Sequence, residues 1–232
     1  MIPLFKTHSS IGKSILKEKD VLAIQEKHNL KEVVVVEDSF YGFRSLNLKL
    51  MKRGVKLIFG IQLPVVEESS DELKSKLIFF AKNNQGMREI KKLYSKTYCS
   101  DEQALVLNQL QASDFANTRV AVPFYDSFVY QNIFHFGMCN VNLKRFDHVF
   151  FEQDNDHPFD GMISQQLKQF TDKTEKVKSI YHTNKEDVKA LQFYKAVCGR
   201  SGGKPPSFGN PNVEYFCSQE FCWESYLEKT EA

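Results

Sequence analysis

Two apolar runs, Val33–Val36 and Val55–Leu63, carry chemically capable side chains at their ends. The first stops at Glu37-Asp38-Ser39, and the second holds Gln62 near its end. Carboxylate, hydroxyl and amide groups there could bind a cation, hold water or orient a polar ligand. Sheets with parallel strands gather ligands just past their strand ends. Asp154-Asn155-Asp156-His157 is also dense in metal-ligand types, although Asp and Asn equally initiate turns. Ser10-Ile11-Gly12-Lys13-Ser14 resembles the tail of a phosphate-binding loop. That loop needs an earlier glycine where Thr7 stands and a long buried strand before it, so a turn leading into a helix fits better. The basic loop Gly199-Arg200-Ser201-Gly202-Gly203-Lys204 could touch phosphate, with a plain surface loop as its default reading. His135 and His148 lie among phenylalanines and read as core or boundary residues. No Ser-His-Asp or Cys-His arrangement follows from the spacing.

The elements that must position these groups are legible as periodicities. Neither run alternates with polar residues, as expected of strands buried on both faces. Between them Phe43, Leu46, Leu50 and Met51 recur at helical spacing, opposite Arg44, Asn47, Lys49 and Lys52. Gly54 then caps the helix, which completes a βαβ unit. Residues 3–8 predict a short first strand. Further strands are expected at 76–81, 119–124, 146–152 and 178–182. Helices are expected at 17–30, 86–98, 101–114, 126–136, 159–170, 185–198 and 216–226. The acidic stretch Glu67–Glu72 reads as a solvated turn, and 199–211 as a long Gly/Pro/Ser loop. This alternation predicts an α/β fold with a mostly parallel sheet, open or closed into a barrel.

The chain's 232 residues fit one large α/β domain better than two small ones. An apolar fraction of 42%, with 20 phenylalanines, supplies a core of large side chains. The 31 basic residues nearly balance 29 acidic ones, so overall charge does not point to nucleic acid. Five widely spaced cysteines without a Cys-x-x-Cys pair suit reduced thiols. No signal peptide or membrane span is evident, and a soluble cytoplasmic protein is expected.

Several segments together resemble the PHP (polymerase and histidinol phosphatase) family. They look most similar to the domain at the front of the bacterial DNA polymerase III alpha subunit, a C-family polymerase. The family's strand followed by His-x-His-Ser is matched by Phe5-Lys6-Thr7-His8-Ser9. Its Thr-Asp-His is matched by Glu37-Asp38-Ser39, and its Ile-Lys-Pro-Ile-x-Gly-x-Glu-Leu by the segment from Val55 to Leu63. Its His-Leu-x-x-Leu-Ala-x-Asn-x-x-Gly segment is matched from Lys76 to Gly86. Its late Asn-Asp-Val-His-Tyr, Pro-Glu-Asp and Cys-ended helix are matched by Lys178–His182, Lys185–Asp187 and Tyr194–Cys198. The resemblance implies a distorted seven-stranded β/α barrel over 1–201, with a C-terminal loop and helix, 202–232, packed on the same domain.

The family's chemistry is a cluster of metal ions, held by His and carboxylate at the strand ends, that activates water against a phosphate ester. Transferred by position, its ligands fall on Lys6, His8, Asp38, Ser39, Gln62, Lys76, Ser179 and Tyr181. Only His8 and Asp38 keep a ligand chemistry. Two positions carry a lysine, which repels a divalent cation. The resemblance therefore implies a barrel without the family's metals, serving as a non-catalytic module in DNA replication. Its partners would be a polymerase or a proofreading exonuclease. The alternative is a phosphoesterase or 3′–5′ exonuclease with manganese, zinc or iron on a reduced site of His8, Asp38 and His182. A third reading is plain nucleic-acid binding, such as to single-stranded DNA, through Lys13, Lys17, Lys91, Lys92 and Lys204. No membrane partner is expected.

Overall fold

A computed structural model describes residues 1–69, 71–134, 137–157, 159–198 and 218–231. The expected loop at 199–211, together with Lys204, Cys217 and His135, lies outside the described residues.

Eight strands and seven helices run in the order β1 (Ile2–Phe5), α1 (Glu18–Lys27), β2 (Glu32–Glu37), α2 (Phe43–Lys52), β3 (Lys56–Val66), β4 (Ser75–Ala81), α3 (Asn84–Tyr98), β5 (Leu105–Val106), β6 (Thr118–Val122), α4 (Phe128–Phe134), β7 (His148–Glu152), α5 (Asp160–Leu167), β8 (Thr174–Ile180), α6 (Val188–Cys198) and α7 (Trp223–Glu231) among the described residues. The strands form one sheet in the order β2-β1-β8-β7-β6-β4-β3-β5, and β2 also pairs with β3. Seven strands thus return on themselves as a closed α/β barrel, with β5 appended to β3. The mostly parallel expectation holds except at β4, which runs antiparallel to both β3 and β6. Here the described residues of the link between β3 and β4 form no helix, and the two strands pair antiparallel.

Two compact units make up the chain. One comprises Met1–Ile58, Asp154–His157 and Val177–Ala232; the other comprises Phe59–Gln153 and Pro158–Lys176. In the first unit, register places Leu4, Val34 and Ser179 on one sheet face and Phe5, Val35 and Ile180 on the other. Trp223 of α7 stacks on Phe5 at 5.5 Å, so α7 covers the second face. The last helix starts at Trp223, not at 216 as expected. Phe221 and Cys222 are fully buried, and Cys222 bridges His182, which fixes them in extended backbone ahead of the helix. Gly54, at φ +69°, ends α2 as predicted.

In the second unit Ile61, Leu63, Leu77, Phe79 and Val120 share a fully buried face against which α3 packs. Gln62, Lys76, Ile78 and Ala121 fall on or continue the opposite face. Asn83 caps α3 by accepting the Gly86 N–H at 2.9 Å. A Cβ at Gly86 would lie 2.1 Å from the Asn117 carbonyl oxygen, so the Asn-x-x-Gly pattern encodes a cap and a close approach. The helix expected at 101–114 is absent. Residues 104–107 are four consecutive buried positions, which no single helical stripe can provide. Leu105 and Val106 pair with Val65 and Val66, and two 3-10 turns follow. Nor is Glu67 a solvated turn residue, since its carboxylate holds Arg145 at 2.6 Å.

Candidate functional site

In the first unit β1 and β2 lie side by side; past their last ladder pair β1 continues with Lys6 and Thr7, and β2 with Val36, Glu37 and Asp38. Alternation turns Lys6 and Asp38 to the face of Leu4 and Val34, and turns Thr7 and Glu37 to the face of Phe5 and Val35. The side chains follow that division. Lys6 Nζ meets Asp38 Oδ1 at 2.7 Å, with the lysine buried and the aspartate about one third exposed. On the other face Glu37 is buried and accepts three hydrogen bonds: Thr7 N–H at 2.8 Å, Thr7 O–H at 2.6 Å and Ser10 O–H at 2.5 Å. Ser10 Oγ in turn accepts the Asp38 N–H at 2.9 Å. One carboxylate therefore ties the loop after β1 to the end of β2 and sets the Lys6–Asp38 geometry. Burial raises the Glu37 pKa, while the Lys6 charge and the Ser10 and Thr7 bonds oppose the rise.

The remaining family positions of this unit do not complete a ligand set. His8 is exposed, and Ser39 is half-buried with its hydroxyl accepting the Tyr41 N–H at 3.3 Å. Ser179 is buried, and Tyr181 stacks on Phe221 at 5.2 Å. His182 is buried, with Nδ1 2.8 Å from the Asn184 carbonyl. Among the described residues, no group of three His, Cys, Asp or Glu side chains is placed to hold a metal ion, so His8, Asp38 and His182 do not converge. Ser10–Ser14 is a turn with no helix directly behind it, which excludes the phosphate-loop geometry.

Burial pushes the His182 imidazole below the usual 6.5, against the backbone of Asn184 and Ser218 and the charge of Asp187. The unfolded chain then binds the extra proton first. Stability is expected to fall as pH drops from 6.5 toward the lowered value, by up to about 1.4 kcal/mol per pH unit. Guanidinium midpoints at several pH values should show this slope in the natural chain and lose it in His182→Phe; an unchanged slope would rule out His182 as its source.

In the second unit Gln62 is half-buried, and Lys76 Nζ meets Asp126 Oδ2 at 2.7 Å. The Lys76 N–H also donates to the Asp126 carbonyl at 2.9 Å. Asp126 sits past the end of β6 with φ +63°, a conformation uncommon outside glycine. Its neighbour Tyr125 donates to the buried Asp160 at 2.7 Å. Sequence reasoning missed Asp126 by reading it as a helix start; its place just after an apolar strand was the available signal.

A second charge cluster in the first unit was also missed. Lys178 is fully buried and pairs with Glu220 at 3.2 Å. Glu220 also accepts the Ser225 hydroxyl and lies 3.7 Å from Lys229. Lys229 reaches Asp154 at 3.7 Å and Asp156 at 3.6 Å, so it occupies the acidic turn that resembled a metal loop. Burial lowers the Lys178 pKa, and Glu220 partly restores it. Burial would raise the Glu220 carboxyl, but Ser225, Lys178 and Lys229 together hold it low.

No family model matches the sequence, and no curated protein matches it. Among solved structures, the chain is similar to a protein from Bifidobacterium adolescentis assigned as a metal-dependent phosphoesterase. The identity is 10%, with 95% of each chain covered and a TM-score of 0.34. Among the described residues no helix is long and apolar enough to cross a membrane.

Proposed function

We propose that this chain is a degenerate PHP-like barrel, related to the front domain of the DNA polymerase III alpha subunit. It acts as a non-catalytic structural and interaction module in DNA replication. The Lys6–Asp38 pair carries the reading. A side-chain ammonium lies 2.7 Å from an acid at a position where the family resemblance implies a cation ligand. It supplies positive charge but no Lewis acidity and no coordinated water. Lys76 and Asp126 repeat the same substitution in the second unit.

Two measurements test this. Affinity capture from the source cell should recover the replicative polymerase or its proofreading exonuclease. Purified protein incubated with manganese should retain no stoichiometric metal after gel filtration, and should hydrolyse a phosphodiester no faster than Lys6→Ala. Recovery of neither partner, or manganese retained by the natural chain and lost in His8→Ala, would overturn the reading.

A further inference from the structure

Helix α3 carries more bases than any other described helix. It carries Arg88, Lys91, Lys92 and Lys96 and a single acid, Glu89, a net of +3 on a helix of 15 residues. The whole chain carries only +2. Glu89 does not offset this charge at the surface. It is buried, and its two oxygens accept the backbone and side-chain N–H groups of Asn117, each at 2.8 Å. The four bases are all exposed. Arg88, Lys92 and Lys96 follow one another at i, i+4, a spacing at which like charges disfavour a helix. The first turn holds no acid, although an acid there would have favoured the helix dipole. Asp114 holds Lys96 at 3.1 Å and also feels the charge of Lys92; Arg88, Lys91 and Lys92 make up the N-terminal part of the patch.

An aromatic edge borders these charges. Tyr94 and Tyr98 lie one turn apart with ring centroids at 4.7 Å, and Tyr98 is 45% exposed. Lys91, Tyr94 and Tyr98 share one flank of the helix by their i, i+3, i+7 spacing. The row of bases advances about 6 Å per i, i+4 step, comparable to successive phosphates along one strand. Cations in a row beside an exposed ring are what an unpaired strand requires: charge for its phosphates and a flat face for its bases.

We infer that the solvent face of α3 binds single-stranded nucleic acid, with Arg88, Lys91 and Lys92 on the backbone and Tyr98 against a base. This surface is independent of the strand ends discussed above and stands whether or not that reading holds. The test is fluorescence anisotropy of a labelled oligothymidylate with the full chain. The triple variant Arg88→Gln/Lys91→Gln/Lys92→Gln should bind at least about tenfold more weakly, and its salt slope should fall by about 2. Tyr98→Leu should lose about tenfold for the oligonucleotide but nothing for inorganic polyphosphate, which has no bases. Lys49→Gln/Lys52→Gln on α2 should leave binding unchanged. Circular dichroism confirms folding of each variant. Unchanged affinity in the folded triple variant would overturn the inference. So would equal losses by Tyr98→Leu on both ligands, or binding to phosphatidylserine vesicles without binding to the oligonucleotide.

Discussion

Glu37→Ala is expected to destabilise the protein by about 3 kcal/mol, more than any surface substitution. Its carboxylate accepts from Thr7 N–H, Thr7 O–H and Ser10 O–H, all in buried surroundings. Each donor left without an acceptor costs about 1–3 kcal/mol. The sum is reduced because a buried carboxylate itself carries a desolvation penalty, visible in its raised pKa. Glu37→Gln should cost less, since one amide oxygen can still serve Thr7 while the amide N–H₂ faces Ser10. The pH dependence has a definite sign. The folded protein binds the Glu37 proton more tightly than the unfolded chain, whose value is 4.5. That contribution is fully present below pH 4.5 and is lost as pH rises through the higher folded value. The natural chain should therefore gain on Glu37→Gln as pH is lowered toward 4.5. Urea denaturation across this range measures both effects. A loss under about 1 kcal/mol in Glu37→Ala would show that the carboxylate does not organise the loop.

The Lys178–Glu220 pair should respond asymmetrically. Glu220→Ala strands a fully buried ammonium and is expected to cost about 3–5 kcal/mol at neutral pH. Lys178→Met removes the buried charge itself and leaves Glu220 with Ser225 and Lys229. It should be nearly neutral, because burying a methionine carries no ionic desolvation. The deficit of Glu220→Ala should shrink as pH rises toward 10.5, the ordinary lysine value, because the unfolded chain then loses the same proton. Thermal melts of the two single variants and the double variant decide the matter. Equal losses from both single substitutions would show that packing, not the stranded charge, sets the cost.

Much of the architecture was legible because its periodicities are strong. β2, α2, β4, α3 and α6 each carry a long apolar pattern, and each forms where that pattern predicts. The failures have physical causes. Residues 101–114 resemble a helix by composition, but Ala104 to Leu107 are buried without a gap and serve a strand edge. The direction of β4 depends on a connection without a helix, and no local apolar pattern encodes it. At the candidate site, position was more legible than partnership. Strand alternation anticipates where Lys6 and Asp38 lie. The partner of Lys76 is 50 residues away, that of Lys178 is 42 away, and their pairing depends on topology. Glu37 was visible at a strand end, yet only the pleat shows that it turns to the covered face while Asp38 does not.

The ammonium opposite Asp38 also changes how the protein responds to its surroundings. A dissociable ion stabilises a fold in proportion to its free concentration, so chelators and starvation weaken it. A charge carried on the polypeptide has no such dependence. It arrives with synthesis and cannot be dialysed away. Whatever order Lys6 brings to the ends of β1 and β2 therefore does not depend on the supply of a metal ion, although salt screens its pairing with the partly exposed Asp38.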